Sequence, residues 1–365
     1  MLPSFHSFSS SLLQVSSHII RRRAFSQTRI RTLSMLSESP PEATTSQATF
    51  PISPIPKNPL GEGRYIRTAA ALIIGDEILN GKTLDRNSNY FARYCFEQGV
   101  ELQRIEVISD DENQIIEASR RMVRNYDFVI TSGGIGPTHD DITYASLAKS
   151  FNQSLIHHTE TLKRMEAMSR TRKWNAQRNT QQNAEQRTAY QRMALFPENA
   201  EVIFVGTDIW VPVVRLEGKL CILPGIPTLF QRMLTGLTPF LPLPPVNERP
   251  MRIQVFTDRP ESMIAPYLTT LQKEVKPNGI QIGSYPVMGK GVFVSLIGKK
   301  ARARESEAGD ASGEDYLMGV ARDVERQTGG KIVSDEEVAQ KKEEARESRL
   351  QTSTTLSETP RDAKF

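Results

Sequence analysis

From Thr68 onward, apolar runs of strand length alternate with segments whose apolar residues recur at helical spacing, and this alternation restricts the chain to few folds. "TAAALIIG" (68–75) is a continuous apolar run, and "NSNYFARYCFEQG" (87–99) follows with helical periodicity and a glycine stop at Gly99. "ELQRIEVIS" (101–109) and "DFVITSGG" (127–134) read as further strands, "ENQIIEASRRMVRN" (112–125) and "DITYASLAKSF" (141–151) as further helices. Strands alternating with helices predict an α/β fold, a parallel sheet covered by helices on both faces, with ligands bound beyond the carboxyl ends of the strands.

The flanks differ in composition. Residues 1–35 contain no acidic residue and set Arg21, Arg22, Arg23, Arg29 and Arg31 among serines, the pattern of a mitochondrial presequence and a matrix location. Initiation at Met35 would instead give a cytosolic form. Residues 36–64 are rich in Pro, Ser and Thr and are expected to be a disordered linker. The α/β domain is expected over 65–245, and the proline cluster "PFLPLPPVNERP" marks its end. A strand, helix, strand, strand pattern, then a helix and strand, predicts a smaller α/β subdomain over 246–335. The charged residues 336–365 are expected to be a disordered or loosely helical tail. The polar stretch from about 157 to 190 reads as surface helices or a lid, with His157 and His158 on the surface.

Composition narrows the partners. With 38% hydrophobic residues, 24% charged residues and a net charge of +4, there is no case for a nucleic-acid or membrane partner. Cys95 and Cys221 have no partner spacing and sit in apolar runs, which argues against a zinc or disulfide framework.

The chemistry concentrates at the predicted strand ends. "TSGGIGPTHDD" (131–141) places Gly133, Gly134 and Gly136 between a strand and a helix, the context in which backbone amides cradle an anion. It matches neither the dinucleotide fingerprint nor a P-loop. The loop closes on Asp140 and Asp141, the first strand on Asp76 and Glu77, and the second on Asp110 and Asp111. So much negative charge calls for a cation, and a hard divalent metal held by Asp76, Glu77, Asp140 and Asp141 is expected, neutralising a phosphate or diphosphate on the glycine amides. Helix capping is an equally good account of one of Asp140 and Asp141, and of one of Asp110 and Asp111, but not of Asp76. His139 is a loop residue, or a ligand or proton donor. Asp85, Asn87 and Asn89 are turn formers or partners for a ribose or pterin.

"GDEILNGKTLDRNSNYFARYCFEQGV", "DFVITSGGIGPTHDDITYASLAKSF" and "LCILPGIPTLFQRML" resemble the molybdopterin-binding-like domain of the MogA, MoaB and CinA proteins. "GGIGPTHDD", "PGIP" and "IGSYP" are closer to the N-terminal domain of eukaryotic FAD synthase. The resemblance runs from Thr68 to Val333 and implies a three-layer MogA/MoaB-like domain. It implies catalytic roles for Asp141 and Asp110, ligand contacts from Gly133, Gly134, Gly136, Asn87, Pro224 and Gly225, and an acidic element at Asp76 and Glu77. The adenylyl-transfer domain of FAD synthase has no counterpart before Phe365, so FAD synthesis is not expected. The implied function is hydrolysis of a dinucleotide diphosphate such as FAD or ADP-ribose with Co²⁺, Mn²⁺ or Mg²⁺, assisted by K⁺. The alternatives are molybdopterin binding or adenylylation for molybdenum cofactor, and a non-catalytic nucleotide-binding module. The partner is a small nucleotide or pterin, and a homo-oligomer, dimer or trimer, is implied.

Overall fold

The computed structural model describes residues 48–171, 183–299 and 316–357. The presequence reading and residues 36–47 of the linker lie outside the described residues. The large sheet contains β1 (Thr68–Ile74), β2 (Glu101–Ile108), β3 (Phe128–Ser132), β6 (Glu201–Ile203), β7 (Val213–Leu216) and β8 (Leu220–Leu223) in the order β2-β1-β3-β8-β7-β6. β2, β1, β3 and β8 are mutually parallel, whereas β7 and β6 add antiparallel strands at one edge. The antiparallel return is made at Glu217 and Gly218, both at positive φ (51° and 66°), with the Lys219 amide donating to the Leu216 carbonyl. Two successive positive φ values define the hairpin turn that matches strand twist.

The central strands are continuous apolar runs because both their faces are covered. Alternate residues of β1 serve opposite faces. Ala69, Ala71 and Ile73 pack with Phe91 and Cys95 of α2 (Asn87–Gln98) and with Phe230 and Leu234 of α7 (Pro227–Leu237). Ala70, Leu72 and Ile74 pack with Ile115 and Met122 of α3 (Glu112–Asn125) and Leu147 of α4 (Thr143–Ser150). β2, at the edge, is polar and largely exposed, which protects an otherwise open strand. Cys95 and Cys221 are free thiols buried in the first of these layers, and burial pushes both thiols up, Cys221 to about 12.

A second sheet, ordered β10-β11-β9-β12, is wholly antiparallel and comprises β9 (Pro250–Thr257), β10 (Gln281–Val287), β11 (Gly291–Lys299) and β12 (Lys331–Val333). One face packs on α8 (Glu261–Val275) and α9 (Tyr316–Thr328) through Val255, Val294, Leu268 and Val324. No helix among the described residues is long and apolar enough to cross a membrane.

The structure corrects two expectations and decides a third, the tail, in favour of helix. Within the supposed linker, residues 48–64 are packed: Phe50 is buried, and the Phe50 and Ser53 amides donate to the carbonyls of Thr207 and Phe204. One aromatic anchor and paired backbone suffice where composition alone signals disorder. In the supposed tail, Asp335–Ser357 form α10. Its start is a capping box, with the Glu337 amide on Ser334 Oγ and the Ser334 amide on the Glu337 carboxylate. Val338 and Ala345 are buried, and the Lys341 and Lys342 ammonium groups sit over the Phe256 and Phe293 rings of the small sheet's other face.

The polar stretch is also more than a solvated lid. It forms β4 (Leu155–His157), α5 (Thr159–Thr171) and α6 (Ala184–Arg192), followed by β5 (Leu195–Pro197), which pairs with β4. Arg164 of α5 is buried, stacks on Phe204 and Phe50, and ion-pairs with Glu160 at 2.9 Å. His157 is exposed, but His158 is half-buried against Phe196 and Phe204, where burial pushes its pKa down.

Candidate functional site

Strand order places β1 between β2 and β3, so the connection after β1 runs to one side and the connection after β3 to the other, which opens a crevice at their carboxyl ends. Gly75 ends β1, and Gly133 and Gly134 follow β3. These strand ends touch. A Cβ on Gly133, which has φ +113°, would lie 2.1 Å from the Ile74 carbonyl oxygen, so only glycine lets the two backbones approach this closely. A Cβ on Gly225 would meet the Gly133 Cα at 3.4 Å, bringing the "PGIP" turn from the end of β8 into the same crevice. Pro227 then opens α7 at a position where a missing N–H costs nothing.

The glycine loop is held in shape by its own carboxylate. Asp141 Oδ1 accepts the Gly136 amide at 2.6 Å, and Oδ2 accepts the Thr138 amide at 2.8 Å and the Thr138 hydroxyl at 2.5 Å. Neither Asp140 nor Asp141 caps α4, whose first turn receives no side-chain cap. Thr143, the first residue of α4, locks the other half of the loop: its hydroxyl donates to the Gly133 carbonyl and its amide to the Gly134 carbonyl, each at 3.0 Å.

Asp110 and Asp111 have separate roles. Asp111 is the N-cap of α3 and accepts the Gln114 amide at 2.9 Å. Asp110 reaches across to β1, where its Oδ2 accepts the Asp76 amide at 3.0 Å. Burial raises the Asp110 pKa, opposed by that hydrogen bond and reinforced by the negative charges of Asp76, Glu77 and Asp140. Asp76, Glu77 and Asp140 are themselves exposed. His139, almost fully exposed, lies 3.9 Å from the Asp140 carboxylate.

Asn87, at the start of α2, is buried. Its Nδ2 donates to Ser132 Oγ at 2.9 Å and to the Gly225 carbonyl at 2.8 Å, while Ser132 Oγ donates to the Pro224 carbonyl at 3.3 Å. Its Oδ1 has no donor, and a buried acceptor without one is costly, so it suits a ligand hydroxyl or amide. Asp85 forms the turn before α2, accepting the Ser88 amide and hydroxyl, and Asn89 is exposed.

The expected metal set of Asp76, Glu77, Asp140 and Asp141 is not assembled as a cage. Among the described residues no group of three or more His, Cys, Asp or Glu side chains could hold a metal ion. The reason is local: Asp141 spends both oxygens on the loop, and Asp76, Glu77 and Asp140 extend into solvent. The sequence reading also missed Ser132, Thr138, Thr143 and Arg192. Thr138 had a signal, since a threonine three residues before an aspartate in a turn is suited to hydrogen-bond it. Arg192 Nη1 and Nη2 donate to the Thr138 and Asp141 carbonyls at 3.4 and 3.3 Å, a contact across more than fifty residues with no local signal.

Residues 70–243 match the family model described as a probable molybdopterin binding domain. A probable FAD synthase of Caenorhabditis elegans is 31% identical over 252 residues, covering 66% of this chain and 48% of the relative. The chain thus spans about half the length of such relatives. Protein PH0439 of Pyrococcus horikoshii is 33% identical over 239 residues, covering 63% of this chain and 88% of that protein. A crystal structure of a CinA protein of unknown function from Thermoplasma acidophilum aligns with a TM-score of 0.40 at 27% identity, over 47% of this chain and 96% of that one. The matched segment spans the glycine loop, the three acidic strand ends and the "PGIP" turn, and these residues belong to the family of that model, the probable molybdopterin binding domain.

Proposed function

We propose that this chain hydrolyses the phosphoanhydride bond of a dinucleotide diphosphate such as FAD or ADP-ribose, with a divalent metal. The observation that carries the reading is the convergence of the glycine loop with Asp76, Asp110 and Asp140 at the ends of β1, β2 and β3. Backbone amides suit the phosphate oxygens, and the surrounding carboxylates repel one another until a cation enters. The FAD synthase name of the C. elegans relative supports a flavin dinucleotide as the substrate class.

The residues fit a metal shared with the ligand rather than a metal caged by protein. Magnesium-like ions keep several waters and take one or two carboxylates plus phosphate oxygens, so Asp76 and Asp140 are sufficient partners and Asp110 is left free as a base. A bound divalent ion would lower the pKa of water and offset charge on the diphosphate. Asp110 would accept the proton from attacking water, a task suited to a carboxyl whose pKa burial and neighbouring charges have raised. Asp141 would hold the loop in its anion-binding shape, and Asn87 Oδ1 would take a donor from the ligand. The products would be two monophosphates, AMP with FMN or AMP with ribose phosphate.

The family description favours a second reading, in which the same loop binds the phosphate of molybdopterin. The discriminating assay incubates the protein with FAD, ADP-ribose or molybdopterin and Co²⁺, Mn²⁺ or Mg²⁺, resolving products by chromatography. Metal-dependent release of AMP that falls by roughly a hundredfold or more in Asp110→Asn supports the hydrolase. Retention of molybdopterin with no AMP release would transfer the assignment to pterin binding.

A further inference from the structure

We propose that Arg192 is an anion-binding residue of this site, holding the glycine loop with two of its donors and giving the rest to a phosphoryl group of the ligand. The inference rests on the diphosphate reading above. A guanidinium has five N–H donors. Two are used here, by long bonds to the neutral Thr138 and Asp141 carbonyls, which leaves three. Among the described residues Arg192 has no carboxylate partner, although it is half-buried and contacts the backbone of an acidic loop. Arg121, Arg164 and Arg215 each face a glutamate. Asp141, the nearest carboxylate in sequence to these carbonyls, is already taken by Gly136 and Thr138.

Arg192 is the last residue of α6, a helix that starts at an Asn183–Gln186 capping box, and a cation is favoured at a helix C-terminus. Just beyond it, the Ala194 carbonyl accepts the His158 amide at 2.8 Å, and Phe196 of β5 packs on Tyr144 of α4. The excursion therefore delivers Arg192, a cation with no carboxylate partner among the described residues, to a loop beside Asp76, Glu77, Asp110 and Asp140. An anionic ligand entering that field needs such a cation, and the planar fork of arginine matches phosphate oxygens in pairs.

The test is calorimetric titration of inorganic pyrophosphate, in Mg²⁺ buffer, into wild type, Arg192→Gln and Arg192→Lys, with hydrogen exchange of the loop amides followed in the ligand-free proteins. Arg192→Gln is expected to weaken pyrophosphate binding roughly tenfold to a hundredfold, with loop exchange staying within about twofold of wild type. Arg192→Lys, which keeps the charge but loses the fork, is expected to fall between the two. Should Arg192→Gln not fold, Arg192→Lys alone decides, since a lysine variant that binds as tightly as wild type overturns the proposal. Wild-type affinity in Arg192→Gln overturns it too and leaves the diphosphate reading standing. Loss of affinity that merely tracks faster loop exchange in both variants reduces Arg192 to a tether and overturns the anion contact. Failure of the wild type itself to bind pyrophosphate overturns the diphosphate reading and this inference together.

Discussion

Asp110 and Asp111 are adjacent in sequence, and either could have capped α3. Asp111 takes the cap, which frees Asp110 to bridge β2 and β1 in the company of Asp76, Glu77 and Asp140. That environment disfavours the charged form of Asp110. A carboxyl whose folded pKa lies above its unfolded value lends stability below the unfolded pKa and loses it as pH rises through the folded pKa. Asp110→Asn, which can still accept the Asp76 amide, escapes this loss. Its melting temperature is expected to exceed that of wild type by about 1–2 °C at neutral pH, with the gain disappearing in acid, where wild-type Asp110 is protonated. A scan of thermal unfolding against pH checks this, and a variant less stable than wild type at neutral pH would show that the hydrogen bond outweighs the repulsion. The acidic strand ends were legible in the sequence because residue type and strand position together imply charge density. The division of labour among them was not, since it depends on which oxygen reaches which amide. Asp141 illustrates this: its position marks the loop, but only the folded turn shows that both oxygens are spent on Gly136 and Thr138.

At the scale of elements, strands and helices with strong apolar periodicity were readable because each buries one side on a continuous core. β1, α2 and α3 fall where their patterns place them. Elements held by a few contacts carried no such signature. The 48–64 segment is anchored by Phe50, and α10 by a capping box, two buried aliphatic residues and lysines over aromatic rings. Composition averages over such anchors and therefore suggests disorder. The Phe50 anchor yields a sharp expectation. Phe50 and Phe204 sandwich the guanidinium of Arg164, which also donates to the Pro51 carbonyl at 2.9 Å. Phe→Ala in a core costs about 3–5 kcal/mol, but removing Phe50 returns water to Arg164, whose Nη1 lacks a partner, so about 2 kcal/mol is expected here. Denaturant titration of Phe50→Ala measures it, and a loss under about 0.5 kcal/mol would mean the segment contributes little to the fold.

The whole molecule raises the question of how tightly its two sheets are coupled. Each has its own apolar core, around Phe91, Ile130 and Leu72 for the large sheet and around Val255, Val294 and Val324 for the small one. Among the described residues, the side-chain contacts between them are made largely by arginines. Arg67 and Glu248 form an exposed ion pair at 3.2 Å, the Arg252 guanidinium lies 4.3 Å from the Phe96 ring centre, and Arg249 packs its stem against Gly99. An exposed ion pair is worth about 0–1 kcal/mol and a cation–π contact about 0.5–2 kcal/mol, small against the burial of either core. The small sheet is therefore expected to open without unfolding the large one. Because the proposed ligand touches the loops at the ends of β1, β2, β3 and β8 together with Asn87 and Arg192, and nothing of the small sheet, its binding energy adds to the large-sheet unit alone. In native-state hydrogen exchange, pyrophosphate should slow the core amides of β1, β3 and β8 while leaving those of β9 and β11 unchanged. Equal slowing in both sheets would mean that they open together and that the arginine contacts couple them more strongly than their individual energies imply.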